Sequence, residues 1–210
     1  MTVAITAEEG NNTLASHEKS RLVLVEGSED QALIVALIRH ESLQDFHVHN
    51  MIGKDGWNGK LRAICRVRGF GKVVSLGLVR DADSNGRAAW DSCRSALVAA
   101  RLPLPSAPGQ LQPGRPSVAI AIIPGIDSVG AIEELCLPSF QQDRLACVDS
   151  YFRCLTDASG VSSKAIVQTY LAGLRPACRD LTIAARHHAI DLAHPAFDPL
   201  KTFLYEMSNA

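Results

Sequence analysis

Glu26 closes a short apolar run (RLVLVE, 21–26), Asp81 and Asp83 follow another (VVSLGLVR, 73–80), and Glu133 and Glu134 stand beyond a third (SVAIAII, 117–123). Asp30 lies about one helical turn after Glu26. In an open parallel sheet, functional groups gather where strands end at their carboxyl termini. Carboxylates brought together there repel one another and must take up protons or bind cations. A hard divalent ion such as Mg²⁺ or Mn²⁺ takes oxygen ligands and keeps some waters, so about two or three carboxylates suffice per ion. Each acid also has a plainer reading. Asp83 could cap the helix that follows it, and Asp30 is a favourable first-turn charge. Glu-Gly after the first strand together with Asp-x-Asp after a later one is harder to obtain from capping alone.

Four strands are expected to position these acids: 21–26, 46–51 (FHVHNM), 73–80 and 117–123. Between them the pattern turns helical. Ser28 opens a helix, with Gln31 completing a capping-box pattern and Glu29 and Asp30 in the first turn. Asn58–Arg68 carries Leu61, Ile64 and Cys65 at helical spacing, and Gly69 and Gly71 end it. A long helix covers Ser84–Ala100. Pro103–Pro116 holds five of the ten prolines and two glycines, which marks a loop. From Ser128 onward helical patterns succeed one another at 129–136, 141–155, 163–174, 177–188 and 196–207. Strand–helix alternation implies an α/β fold with a parallel sheet. The domain reading is a loose tail over 1–20, an α/β domain over 21–140 and a helical extension over 141–210 packed on it.

Composition narrows the function classes. The chain has 210 residues, 47% of them hydrophobic, and a formal net charge of −1, so it is too apolar and too balanced to be disordered. Its longest apolar stretches, such as Ala32–Ile38 and Val118–Ile123, fall well short of the ~20 residues of a spanning helix. Glu8 and Glu9 stand where a signal peptide would be apolar. Six cysteines without a C-x-x-C pair support neither a zinc site nor a redox motif, and reduced thiols in a cytoplasmic protein are the simplest expectation.

The ordered segments LVEGSED (24–30), LGLVRDADSNG (76–86) and IPGIDSVGAIEEL (123–135) resemble the Toprim domain, in the version carried by OLD-type (overcoming lysogenization defect) nucleases and their small stand-alone relatives. The resemblance runs over about 21–138 and extends more weakly through KAIVQTYLAGLRP and HPAFDPLKTFL. It implies a four-stranded parallel core flanked by helices, a divalent-metal site and phosphodiester chemistry on DNA or RNA. Glu26 matches the family glutamate, an acid/base or metal ligand. Asp81 and Asp83 match the metal-binding Asp-x-Asp, Asp30 a second acid one turn after the first, and Glu133 the acid after the fourth strand. Lys164 matches a later basic residue that would neutralise developing charge; its plainer reading is a solvated helix-start lysine. Asp127, Ser128 and Glu134 are near enough to compete as ligands. OLD proteins usually carry an ATPase domain ahead of the Toprim. No G-x-x-x-x-G-K-[ST] motif is present here, so an ATPase would be a separate subunit. Neither a topoisomerase tyrosine motif nor a primase zinc module is recognisable.

Lys54–Lys72 holds six basic residues and one acid, a local excess of five. Lys60, Arg62, Arg66 and Arg68 are the candidate contacts to a nucleic-acid backbone, against an ordinary solvated helix face. Trp57 and Phe70 flank this stretch and either stack on bases or pack into the core. His47 and His49 share one strand face and are assigned no metal. The expected partners are nucleic acid, a separate ATPase subunit and a second copy as homodimer, with no membrane. Two other function classes compete with the nuclease-like enzyme. One is a non-catalytic nucleic-acid-binding or partner subunit. The other is a HAD-like phosphatase with Asp81 as the phosphoryl acceptor, which would place the motif on the first core strand rather than the third.

Overall fold

A computed structural model describes residues 20–155 and 160–210; the expected N-terminal tail lies outside them, apart from Ser20. Four parallel strands form one sheet: β1 (Arg21–Val25), β2 (Phe46–Asn50), β3 (Ser75–Asp81) and β4 (Ser117–Ile123), in the order β2-β1-β3-β4. The helices are α1 (Ser28–His40), α2 (Trp57–Ile64), α3 (Gly86–Ala100), α4 (Ile132–Cys136), α5 (Gln142–Leu155), α6 (Ser163–Ala172), α7 (Leu181–Arg186) and α8 (Asp198–Ser208). The expected four-stranded parallel α/β architecture is therefore present. Among the described residues, no helix is long and apolar enough to cross a membrane.

The central strands read as nearly continuous apolar runs because both faces of the sheet are covered. Alternation along each strand divides the core in two. Val23, Val25, Val79, Ala119, Ala121 and Ile123 face α1, α4 and the helices from α6 to α8. Leu22, Leu24, Leu76, Leu78, Val118, Ile120 and Ile122 face α2 and α3. The C-terminal helices thus complete the first half of the core. Gly77 makes room for α8: a Cβ there would lie 2.5 Å from both Met207 Sδ and Phe203 Cζ. The last turn of α8 is tied to the beginnings of the strands. Arg21 Nη2 donates to the Ser208 carbonyl at 2.6 Å and Ser75 Oγ to that of Met207 at 2.9 Å. These bonds satisfy carbonyls that a helix end leaves open. The proline-rich loop covers the outer edge of β4 through a Gln112–Val118 bridge and a Gly109 N–H to Ile120 carbonyl bond of 2.8 Å.

Helix ends differ from expectation at several places, α4 for instance starting at Ile132 rather than at 129. α2 stops at Ile64, four residues early, and the chain turns through Gly69 at φ 93°. α3 starts at Gly86 because Asn85, not Asp83 or Ser84, is its cap, accepting the Ala88 N–H at 3.1 Å. The segment 177–188 is helical only over Leu181–Arg186, its start fixed by Asp180, which accepts the Ile183 N–H at 2.9 Å. All six cysteines are free thiols; Cys93, Cys136 and Cys178 are buried, while Cys147 and Cys154 are exposed on α5.

Candidate functional site

The carboxyl ends of β1 and β3 and the start of α4 bring the sequence-predicted acids to one edge of the sheet. Asp81 is the last residue of β3 and continues the face of Val79. Burial pushes its carboxyl up to about 8, and Asp30, Glu26, Glu133 and Asp83 add repulsion in that order. Asp30 reaches the cluster from the first turn of α1. Burial raises its carboxyl to about 6, opposed by the Gly27 amide and reinforced by Glu26, Glu29 and Glu133. Its Oδ2 accepts that amide at 2.8 Å, so Asp30 is both a first-turn cap and a member of the cluster. Asp30 Oδ1 and Asp81 Oδ1 are buried and meet no hydrogen-bond donor. Buried polar atoms are seldom left so.

Glu26 follows β1 on the opposite face, that of Leu22 and Leu24. Arg80 lies there too: its Nε donates to Glu26 Oε2 at 3.1 Å and its Nη1 to Ser92 Oγ at 3.0 Å. The guanidinium also sits 5.1 Å from the centre of the Trp57 ring. Glu133, buried in the first turn of α4, accepts from Lys164 Nζ at 2.7 Å. The same ammonium lies 3.3 Å from Glu29 Oε2, and Glu29 Oε1 caps α7 by accepting the Leu181 N–H at 3.1 Å. The hydrogen bond to Glu133 is the main reason the Lys164 ammonium is held above its ordinary value.

Asp83 lies outside the strand, exposed, at φ 49°. Short polar side chains such as Asp tolerate this left-handed conformation better than most. Its backbone is fixed by two bonds with Gly130, N–H to carbonyl at 2.8 Å and carbonyl to N–H at 2.6 Å. Its side chain accepts from Lys54 Nζ at 3.1 Å. The neighbouring acids have other partners. Glu134 caps its own helix by accepting the Ala131 N–H at 2.8 Å. Burial works against its charge, but bonds from the Ala131 amide and the Ser163 hydroxyl hold its carboxyl below the usual glutamate range. Asp127 pairs with Arg87 at 2.5 Å in solvent, and Ser128 is exposed.

As the side chains stand, no group of three or more His, Cys, Asp and Glu among the described residues converges to hold a metal ion. The donors of the cluster are all carboxylate oxygens, which suits a hard divalent cation. Of the basic stretch, Arg62, Arg66 and Arg68 are exposed. Lys60 turns inward instead, donating to the Met51 and Ile52 carbonyls at 2.6 and 3.0 Å. Trp57 is 2% exposed and belongs to the core, not to a stacking platform. The rings of His47 and His49 lie 6.4 Å apart on β2. Two residues that matter here carried little sequence signal. Lys54 reads as one of several surface cations. Arg80 is the single charge in the apolar run 73–80, and a charge so placed must find a partner.

Fold and site together define an α/β protein whose parallel sheet gathers carboxylates at its carboxyl edge. The family model described as "Protein of unknown function (DUF3226)" matches residues 20–209, and the chain belongs to that family. The C-terminal region of the OLD protein of Xanthomonas campestris pv. campestris has a similar fold. Its mercury-phased structure has a TM-score of 0.53 at 9% identity, covering 92% of this chain and 97% of that one. The platinum-phased structure gives 0.51 at 9% identity, with 91% and 93% covered. No curated protein sequence matches the chain.

Proposed function

We propose that this protein carries out nuclease-like phosphodiester chemistry on nucleic acid with Mg²⁺ or Mn²⁺ as cofactor, in the manner of an OLD-type Toprim. The observation that carries the reading is the pair of buried oxygens, Asp30 Oδ1 and Asp81 Oδ1, left without donors among mutually repelling acids. The fold likeness to an OLD C-terminal region supports it. Asp81 and Asp83 would hold one ion, and Asp30 and Glu26, with Glu133, a second. Bound there, the ions would supply charge relief at the phosphorus and a more acidic water. Arg80 fixes one oxygen of Glu26 and leaves the other for proton transfer. Lys164 keeps Glu133 in place and adds positive charge beside the carboxylates. Arg62, Arg66 and Arg68 offer exposed cations to a phosphate backbone. Free cysteines fit a cytoplasmic setting.

The test is cleavage of plasmid DNA and of RNA by the purified chain with Mg²⁺ or Mn²⁺, alongside calorimetric binding of the ion. Cleavage is expected, and Asp81→Ala and Glu26→Gln, which keeps an acceptor for Arg80, are expected to abolish it while remaining folded without metal. Ion binding without cleavage would assign the chain to a non-catalytic partner subunit. Covalent capture of a phosphate analogue on Asp81 would assign it to the phosphatases.

A further inference from the structure

The turn between β2 and α2 is built with unusual care for a surface loop. Three consecutive carbonyls are tied to side chains of α2: those of Met51 and Ile52 by Lys60 Nζ, and that of Gly53 by Trp57 Nε1 at 3.1 Å. The Gly53 amide donates to the Glu26 carbonyl at 2.9 Å, so the turn lies against the end of β1. Ile52 is held at φ 55°, a conformation that a β-branched residue rarely adopts, with its N–H on Asn50 Oδ1 at 2.7 Å. Such a backbone persists only where its surroundings enforce it. The next residue but one is Lys54, whose ammonium lies 3.1 Å from Asp83 Oδ2. Asp83 is itself in the left-handed region and pinned by Gly130. Two enforced backbones thus meet in one solvent-exposed ion pair. Exposed pairs contribute little to stability, so stability does not account for the construction.

Three cations flank the five acids. Arg80 is held by Glu26 and Ser92, and Lys164 by Glu133 and Glu29. Lys54 pairs with Asp83 and is 57% exposed on a flexible stem. We propose that Lys54 is a resident cation that occupies Asp83 until a divalent ion takes that carboxylate. The released ammonium then meets a phosphate oxygen of the substrate beside the carboxylates. This rests on the metal-dependent reading above. It adds an order of events: metal loading frees the residue that recognises the backbone.

Amine-reactive acylation of the intact chain, read by peptide mass spectrometry with and without Mn²⁺, tests the exchange. Mn²⁺ binding is measured by calorimetry on the same sample. Acylation of Lys54 is expected to become several-fold faster with Mn²⁺ while that of Lys72 stays constant. Asp83→Asn should give the fast rate without the ion. Lys54→Gln should bind Mn²⁺ several-fold more tightly and raise KM for nucleic acid more than it lowers kcat. Mn²⁺ binding with no change in Lys54 acylation overturns the exchange alone. Absence of Mn²⁺ binding overturns it together with the metal-dependent reading.

Discussion

Arg80 and Asp81 are adjacent in sequence and point to opposite faces of the same sheet, and their environments differ in kind. On the α2/α3 face the buried charge is answered: Arg80 meets Glu26, Ser92 and the Trp57 ring. On the other face Asp81 joins Asp30 and Glu133, and oxygens of Asp81 and Asp30 have no partner. A paired buried charge specifies structure and is costly to break. An unpaired one is tolerated where a ligand or a proton supplies what the protein does not. One residue step along β3 therefore separates a paired charge from an unpaired cluster, and Glu26, held by Arg80 through one oxygen, stands between them.

The contrast is broken most severely on the paired side. Arg80→Met leaves the Glu26 carboxylate largely buried without its partner and should cost ~3–5 kcal/mol in urea unfolding. Adding Glu26→Gln should recover much of that loss. If the double variant is no better than the single one, packing against Trp57 rather than charge holds this side together.

The unpaired side should respond to pH with the opposite logic. Asp81 and Asp30 hold their protons up to about 8 and about 6, well above the ordinary 3.8 that applies once the chain unfolds. Between those values the folded chain binds more protons than the unfolded one. The resulting stability is complete below the unfolded value and is lost as pH rises through the folded ones. The metal-free melting temperature should therefore fall between pH 5 and 8.5, with Asp81 contributing more of the fall than Asp30. Asp81→Asn should flatten that fall and raise the melting temperature at the alkaline end. A flat profile in the parent chain would mean that Asp81 is better solvated than its burial indicates. The smallest effect belongs to a surface pair that is part of neither side. Arg87→Ala, which removes the contact with Asp127, should change stability by less than ~0.5 kcal/mol. A larger loss would show that the loop after β4 depends on that pair.

Three of the four strands were legible in the sequence because they are buried on both faces, which leaves apolar runs, whereas the partly exposed β2 showed as alternation. Helix ends were less legible. Asn85 rather than Asp83 caps α3, and the difference matters because it leaves the Asp83 side chain for Lys54. Spacing identified the acids that meet at the edge, but it could not assign each to a face of the sheet. Glu26 lies on the Arg80 side because the chain leaves β1 in strict alternation. Lys60 could not be told from Arg62 by residue type. Only the path of the preceding turn shows its ammonium bound to carbonyls while Arg62 points to solvent.

The bonds from Arg21 and Ser75 to the last turn of α8 carry one more consequence. They bring the first strand residue and the final helix together on the side of the sheet remote from the carboxylates. A fused partner, affinity tag or surface tether joined at Ala210 would emerge from that far side.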